Sequence, residues 1–172
     1  MKQALLLMLF LSSAIYCSDF NLSIRGSIFI VPDVTANWFQ AGEYCNSLGM
    51  RLAVIDNADE NTQAIHSILD AGKFAESTTE IWIGGSNLGQ GTDYYWQPTG
   101  AKFEETFWGI GEPNNLGGVE SCAQLRHTPT QDWHWNDKQC TLARNFVCES
   151  TFVSRVVSYA LNVLYGDETP FN

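Results

Sequence analysis

The sequence predicts an α+β domain over residues 27–150, and three observations carry that prediction. Two segments with helical apolar spacing lie near its start. Short β-branched and aromatic runs recur after them. Between those runs, Pro98 to Gly118 is a Gly-, Pro- and Asn-rich stretch of about 20 residues without periodicity, longer than a compact domain carries without a use for it.

Ahead of the domain, Met1-Lys2-Gln3 is a short basic start, Ala4 to Leu11 is an apolar run, and Ser12-Ser13-Ala14 leads to Tyr16-Cys17-Ser18. This is the layout of a secretory signal peptide over residues 1–17, and its apolar run is too short for a membrane span of about 20 residues. A lipoprotein reading of Cys17 is disfavoured by the bulky Tyr16. Removing Cys17 leaves four cysteines, an even number that suits an exported disulfide protein. Residues 18–26 form a short N-terminal extension that includes Asn21-Leu22-Ser23, a glycosylation sequon.

Within the domain, Ser27-Ile28-Phe29-Ile30-Val31 reads as a short strand stopped by Pro32. Thr35 is placed as the cap of a helix with Trp38, Ala41, Cys45 and Leu48 on one face and Gly49 as its stop. Asn57 with Glu60 resembles a capping box, opening a second helix that turns Ala64, Ile65, Ile68 and Leu69 inward and ends at Gly72. Ile81 to Gly85 is a buried strand and Asp93 to Gln97 an aromatic one; after the irregular stretch, strands resume around Cys122 to Arg126, Trp133 to Trp135 and Asn145 to Glu149. Residues 151–172 form a C-terminal amphipathic tail, with Phe152, Val156, Tyr159/Ala160 and Val163/Leu164 at helical spacing. Such a tail either packs on the domain or supplies a weak homo-oligomer contact.

Charge narrows the partners. Nine Lys and Arg stand against 19 Asp and Glu, a net charge of −10; loss of residues 1–17 removes only Lys2, giving −10 − 1 = −11. A chain this acidic has no electrostatic route to phosphate backbones, which excludes nucleic acid. No segment after the leader reaches the ~20 apolar residues of a membrane span.

Three clusters carry the chemistry: Glu112-Pro113-Asn114, then Glu120, then Asn136-Asp137 behind Trp135. They contribute three carboxylates and two amides, all hard oxygen donors, of the kind that suits Ca2+ held by loops. Each acid–amide pair can bind a cation while its amide N–H donates outward and its carboxylate accepts. A sugar hydroxyl needs those three partners together, so two such pairs around one ion match two neighbouring hydroxyls.

Trp82-Ile83-Gly84-Gly85, Glu112-Pro113-Asn114, Glu120-Ser121-Cys122, Trp135-Asn136-Asp137, Cys140 and Phe146-Val147-Cys148 together resemble a C-type lectin carbohydrate-recognition domain over roughly residues 24 to 150. The resemblance implies the C-type lectin fold: two helices, two small antiparallel sheets and a long Ca2+-binding loop. It implies Cys45–Cys148 and Cys122–Cys140 disulfides, worth roughly 5 and 3 kcal/mol on the chain-entropy account. It implies Glu112, Asn114, Glu120, Asn136 and Asp137 as ligands of one principal Ca2+ and as the sugar-binding side chains, with Pro113 in a cis peptide. Glu-Pro-Asn is similar to the mannose- and fucose-type version of the motif, where the galactose-type version has Gln-Pro-Asp. Asn115 and Ser121 stand where many relatives place acids for an auxiliary Ca2+, a departure that argues against a second ion. Trp133 and His134 are either sugar contacts or core.

The expected protein is therefore a secreted, extracellular, Ca2+-dependent lectin without catalytic activity, similar in style to short invertebrate lectins of innate immunity that meet microbial-surface or self glycans. Its alternative is a lectin-like domain for a protein or other non-sugar ligand. A glycosidase using Glu112, Glu120 or Asp137 is disfavoured, because each carboxylate has a metal to satisfy. His66, His127 and His134 lack the context of a nucleophile's partner, and the cysteines are committed to disulfides rather than to zinc.

Overall fold

Two α-helices and two sheets, with a 3-10 turn at Leu116–Gly118, make up the regular structure of the described residues, 28–89 and 91–150 of the computed structural model. In chain order they are β1 (Ile28–Ile30), α1 (Trp38–Ser47), β2 (Arg51–Leu52), α2 (Ala58–Asp70), β3 (Thr79–Ser86), β4 (Tyr95–Trp96), β5 (Cys122–Thr128), β6 (Gln131–Lys138), β7 (Asn145–Phe146) and β8 (Cys148–Ser150). The signal peptide predicted at 1–17, the extension predicted at 18–26 with Asn21 and the tail predicted at 151–172 lie outside the described residues.

The cap of α1 corrects the sequence reading. Asn37, not Thr35, opens the helix: its side chain accepts from the Gln40 N–H at 2.9 Å, and the Gln40 side chain accepts from the Asn37 N–H at 3.4 Å. Trp38, Ala41 and Cys45 are buried as the periodicity predicts, but Leu48 follows the last helical residue and stays exposed. In α2, the Asn57 side chain accepts from the Glu60 N–H, while the Glu60 carboxylate reaches one residue further back, to the Asp56 N–H. Ala64 and Ile68 are buried, Ile65 is partly so, and Leu69 in the last turn is exposed. Both helices stop at glycines with positive φ, Gly49 at 67° and Gly72 at 64°, where a side chain would be strained.

One sheet has the order β1-β8-β2, the other the order β4-β3-β5-β6; β7 joins β3 in parallel. The aromatic strand is shorter than the sequence predicts, two residues instead of Asp93 to Gln97. The glycines of Trp82-Ile83-Gly84-Gly85 have a packing reason. A Cβ on Gly84 would stand 2.8 Å from the Ala53 carbonyl oxygen, and one on Gly85 would stand 2.2 Å from the Phe103 ring.

Burial of Trp96, Phe103 and Trp135 forms the aromatic centre, with ring centroids 4.0 Å apart for Trp96–Phe103 and 5.4 Å for Phe103–Trp135. The Trp135 indole donates to the Asn61 Oδ1 of α2 at 2.9 Å, so this ring both fills the core and fixes the helix to the sheet. On the central strand of the other sheet, buried Glu149 takes a two-pronged bond from Arg51, at 2.8 and 3.2 Å, and accepts the Val54 N–H at 3.1 Å. Disulfides Cys45–Cys148 and Cys122–Cys140 close α1 onto β8 and tie the start of β5 to the chain leaving β6.

Candidate functional site

The β5–β6 ladder assembles half of the site. Its register pairs Cys122 with Lys138, Ala123 with Asp137 and Gln124 with Asn136, so Asn136 and Asp137 lie beside the segment that brings Glu120 into β5. The other half arrives on the long loop, which is pinned to β6 just before those residues. The Gly109 N–H donates to the Trp135 carbonyl at 2.8 Å, and the Trp135 N–H donates to the Phe107 carbonyl at 2.6 Å. That approach needs a glycine at 109, because a Cβ there would meet the His134 ring at 2.4 Å. A turn closed by the Glu112 N–H on the Gly109 carbonyl, 3.0 Å, then delivers Glu112, and the Glu112–Pro113 peptide is cis.

Asp137 holds the loop from inside. It is fully buried; one carboxylate oxygen accepts the Asn114 N–H at 3.0 Å, and the other accepts the Asn115 N–H at 2.8 Å and the Tyr94 hydroxyl at 3.1 Å. Glu112 accepts from the Asn114 amide Nδ2 at 3.0 Å and from its backbone N–H at 3.2 Å. Glu120, also buried, accepts the Leu116 N–H at 3.1 Å and the Lys138 ammonium at 2.6 Å. Asn115, in the left-handed region at φ 45°, turns its side-chain oxygen to the Glu120 N–H at 3.0 Å. Asn136 donates to the Asp137 carbonyl, and the Arg126 guanidinium donates to its Oδ1 at 3.4 Å. Glu112, Asn114, Glu120, Asn136 and Asp137 are thus brought into one cluster.

The three carboxylates share one field. Burial, and after it Asp137 and then Glu120, holds the Glu112 carboxyl above the usual carboxylate range. Burial first, then the charges of Asp137, Glu120 and Glu112, pushes the Tyr94 hydroxyl well above its ordinary value, so it remains a donor. Within ion-pair distance of these three acids the described residues supply one cation, Lys138. Three negative charges less one positive leave two, which is the charge of a divalent ion. Among the described residues no three His, Cys, Asp or Glu side chains converge tightly enough to hold a metal by themselves. The amide oxygens of Asn114 and Asn136 would have to complete the set, and the donor chemistry fits a hard cation on that condition.

Tyr94, Lys138 and Asn115 were not singled out from the sequence as supports of this cluster. Lys138 had a local signal, a basic residue directly after Asn136-Asp137. Tyr94 had none, because 43 residues separate it from Asp137. Trp133 meets Phe74 and His127 at tilted angles, centroids 5.9 and 5.7 Å away, and packs on the core. His134 is buried against Gly109. Both residues serve packing. His66 lines a shallow cleft between β1 and α2, away from the cluster.

Comparison with known proteins agrees with this architecture. A family model described as "Lectin C-type domain" matches residues 34–150. "C-type lectin 16" of Aedes aegypti is 39% identical over 123 residues, 70% of this chain and 80% of that protein. "Salivary C-type lectin 1" of Aedes albopictus is 37% identical over the same shares of both chains. Among solved structures, the C-type lectin domain of murine dendritic cell inhibitory receptor 2, in complex with N-glycan, is 27% identical with a TM-score of 0.59, covering 73% of this chain and 91% of that one.

Proposed function

Because the chain belongs to the C-type lectin domain family, we propose that it is a secreted, Ca2+-dependent lectin that binds two neighbouring hydroxyls of a mannose- or fucose-type sugar. The observation that carries this reading is the surplus of two negative charges where two acid–amide pairs meet. Glu112, Asn114, Glu120, Asn136 and Asp137 would hold the ion. A bound Ca2+ supplies a centre that accepts lone pairs from sugar oxygens. The chain's own work is to aim the amide N–H groups of Asn114 and Asn136 at those oxygens and the carboxylates of Glu112 and Glu120 at the hydroxyl protons. Asp137, Tyr94 and the backbone of Asn114 and Asn115 fix the loop that presents them. The commitment of the Asn115 side chain to the Glu120 N–H favours one ion over two. Among the described residues no helix is long and apolar enough to cross a membrane, and the leader-like residues 1–17 support export. Encounter with microbial-surface glycans and weak pairing through residues 151–172 complete the reading.

Retention of the secreted protein on mannose-agarose in Ca2+, release by EDTA, and weaker retention on galactose-agarose are the expected results. Retention on neither resin would favour a protein ligand instead. Acid is expected to act as EDTA does. The raised Glu112 takes up its proton earlier than an ordinary Glu as pH falls, and a cation needs it ionised. Mannose retention should therefore be full near neutrality and fall as pH drops toward ~5. Retention unchanged over that range would remove Glu112 from the ion.

A further inference from the structure

We propose that Lys138 sets the charge of the candidate ion site: its ammonium shares Glu120 with the ion, which matches the cluster to a divalent cation and weakens the hold on every cation. The proposal rests on the lectin reading above and deepens it, since it assigns the residue that decides which ions the site accepts. Lys138 is then a specificity-determining residue that acts through Glu120.

The Lys138 ammonium lies 2.6 Å from the Glu120 Oε1, and the Leu116 N–H donates to Oε2 at 3.1 Å. The Glu120 side chain is 5% exposed and that of Lys138 28%, so water and salt screen this pair poorly. The ladder fixes where Lys138 stands. Its register partner is Cys122, two residues after Glu120, and its carbonyl accepts the Ser121 N–H at 3.2 Å. The Cys122–Cys140 disulfide closes the same end of the ladder. No Lys or Arg occurs from Phe103 to Leu125, so the loop brings no cation of its own to Glu112 or Glu120. Arg126 donates to the neutral Asn136 side chain at 3.4 Å and pairs with Glu80 at 3.6 Å rather than with any of the three acids.

A carboxylate oxygen has two lone pairs, so Glu120 can accept a metal ion while it still accepts the ammonium. The fixed positive charge then repels that ion in proportion to the ion's own charge. With Lys138 present, the surplus of two negative charges suits a divalent ion, and a trivalent one would leave a positive charge uncompensated in a largely buried site. Without Lys138 the surplus is three, every cation is held more tightly, and a trivalent ion gains more than a divalent one. A lysine that only propped Glu120 in place would act in the opposite direction, since its loss would loosen that carboxylate and weaken both ions.

The test is calorimetric titration of the secreted full chain with CaCl2 and with LaCl3 at low salt, for the parent and for Lys138→Gln. The expected result is Ca2+ bound about tenfold and La3+ about thirtyfold more tightly by the variant, because the gain in free energy scales with ionic charge. Lys138→Arg keeps the charge and should stay near the parent for both ions. Lys73→Gln removes the same net charge from a lysine paired with Asp33, outside the cluster, and should also match the parent. Melting supplies a second measure: Lys138→Gln should melt below the parent in EDTA, where the three acids lose their countercharge, and should gain more from added Ca2+. Ca2+ affinity in Lys138→Gln that is unchanged or weaker would overturn the proposal and leave the lectin reading standing. Equal gains for the two ions would also overturn it, because they would mark a rearranged loop and not a removed charge. A parent that binds neither ion would overturn the lectin reading and the proposal together.

Discussion

A chain carrying Asp137→Asn is expected to pass unretained through mannose-agarose in Ca2+ and to melt roughly 10 °C below the parent in EDTA. The two effects have separate origins. Asp137 is fully buried and its two oxygens receive three donors: the N–H groups of Asn114 and Asn115 and the Tyr94 hydroxyl. Hydrogen bonds to a charged acceptor are worth about 1.5–3 kcal/mol each, and an amide in this place would turn an NH2 toward at least one N–H or O–H. The loop then loses its inner anchor whether or not an ion is present, which the EDTA melt reads. Retention reads the second origin, because losing this carboxylate also cuts the surplus charge of the cluster from two to one. A variant that melts lower yet still binds mannose and releases it in EDTA would make Asp137 an anchor of the loop and not a ligand of the ion.

Local pattern made the helices legible, and it failed where a choice depended on contacts further away. Both helices follow from their apolar spacing and their terminal glycines. Thr35 is the cap that local pattern suggests, although Asn37 and Gln40 stand at the spacing that forms the observed reciprocal pair. Leu48 and Leu69 continue the apolar periodicity beyond the length of surface that each helix has to cover, so they end in water. The aromatic strand is regular only over Tyr95 and Trp96: Asp93 on one side pairs with Lys102 at 2.6 Å, and on the other, after the Gln97 N–H donates to the Gly84 carbonyl of β3, Pro98 has no N–H to continue the ladder.

The site clusters were legible because their donors come in short runs, Glu112 to Asn114 and Asn136 to Asp137, whose acid–amide chemistry is visible without a fold. What holds those runs was not. Tyr94, Lys138 and the Gly109–His134 contact are tertiary facts: a phenol from the residue before β4, an ammonium at the end of β6 and a missing Cβ that lets the loop lie on the strand. The tryptophans show the same limit. Six Trp left open either a core or an aromatic surface, and the packing of Trp38, Trp82, Trp96 and Trp135 settles those four as core.

The two disulfides are expected to fail differently when removed. Cys45→Ala with Cys148→Ala opens a closure of 103 residues, worth about 5 kcal/mol on the chain-entropy account, against total stabilities of 5–15 kcal/mol for proteins of this kind. It also withdraws two buried side chains from the packing between α1 and the central strand of the β1-β8-β2 sheet. Cys122→Ala with Cys140→Ala opens only 18 residues, about 3 kcal/mol, but those residues include all of β6 with Asn136, Asp137 and Lys138. Denaturant unfolding should therefore show the larger loss for the first pair. The Ca2+ concentration at half-maximal mannose retention should rise more for the second, because the strand carrying half of the site is no longer tied at its end. The opposite order in both measurements would mean that the long closure shapes the site and the short one the fold, contrary to where each bond lies.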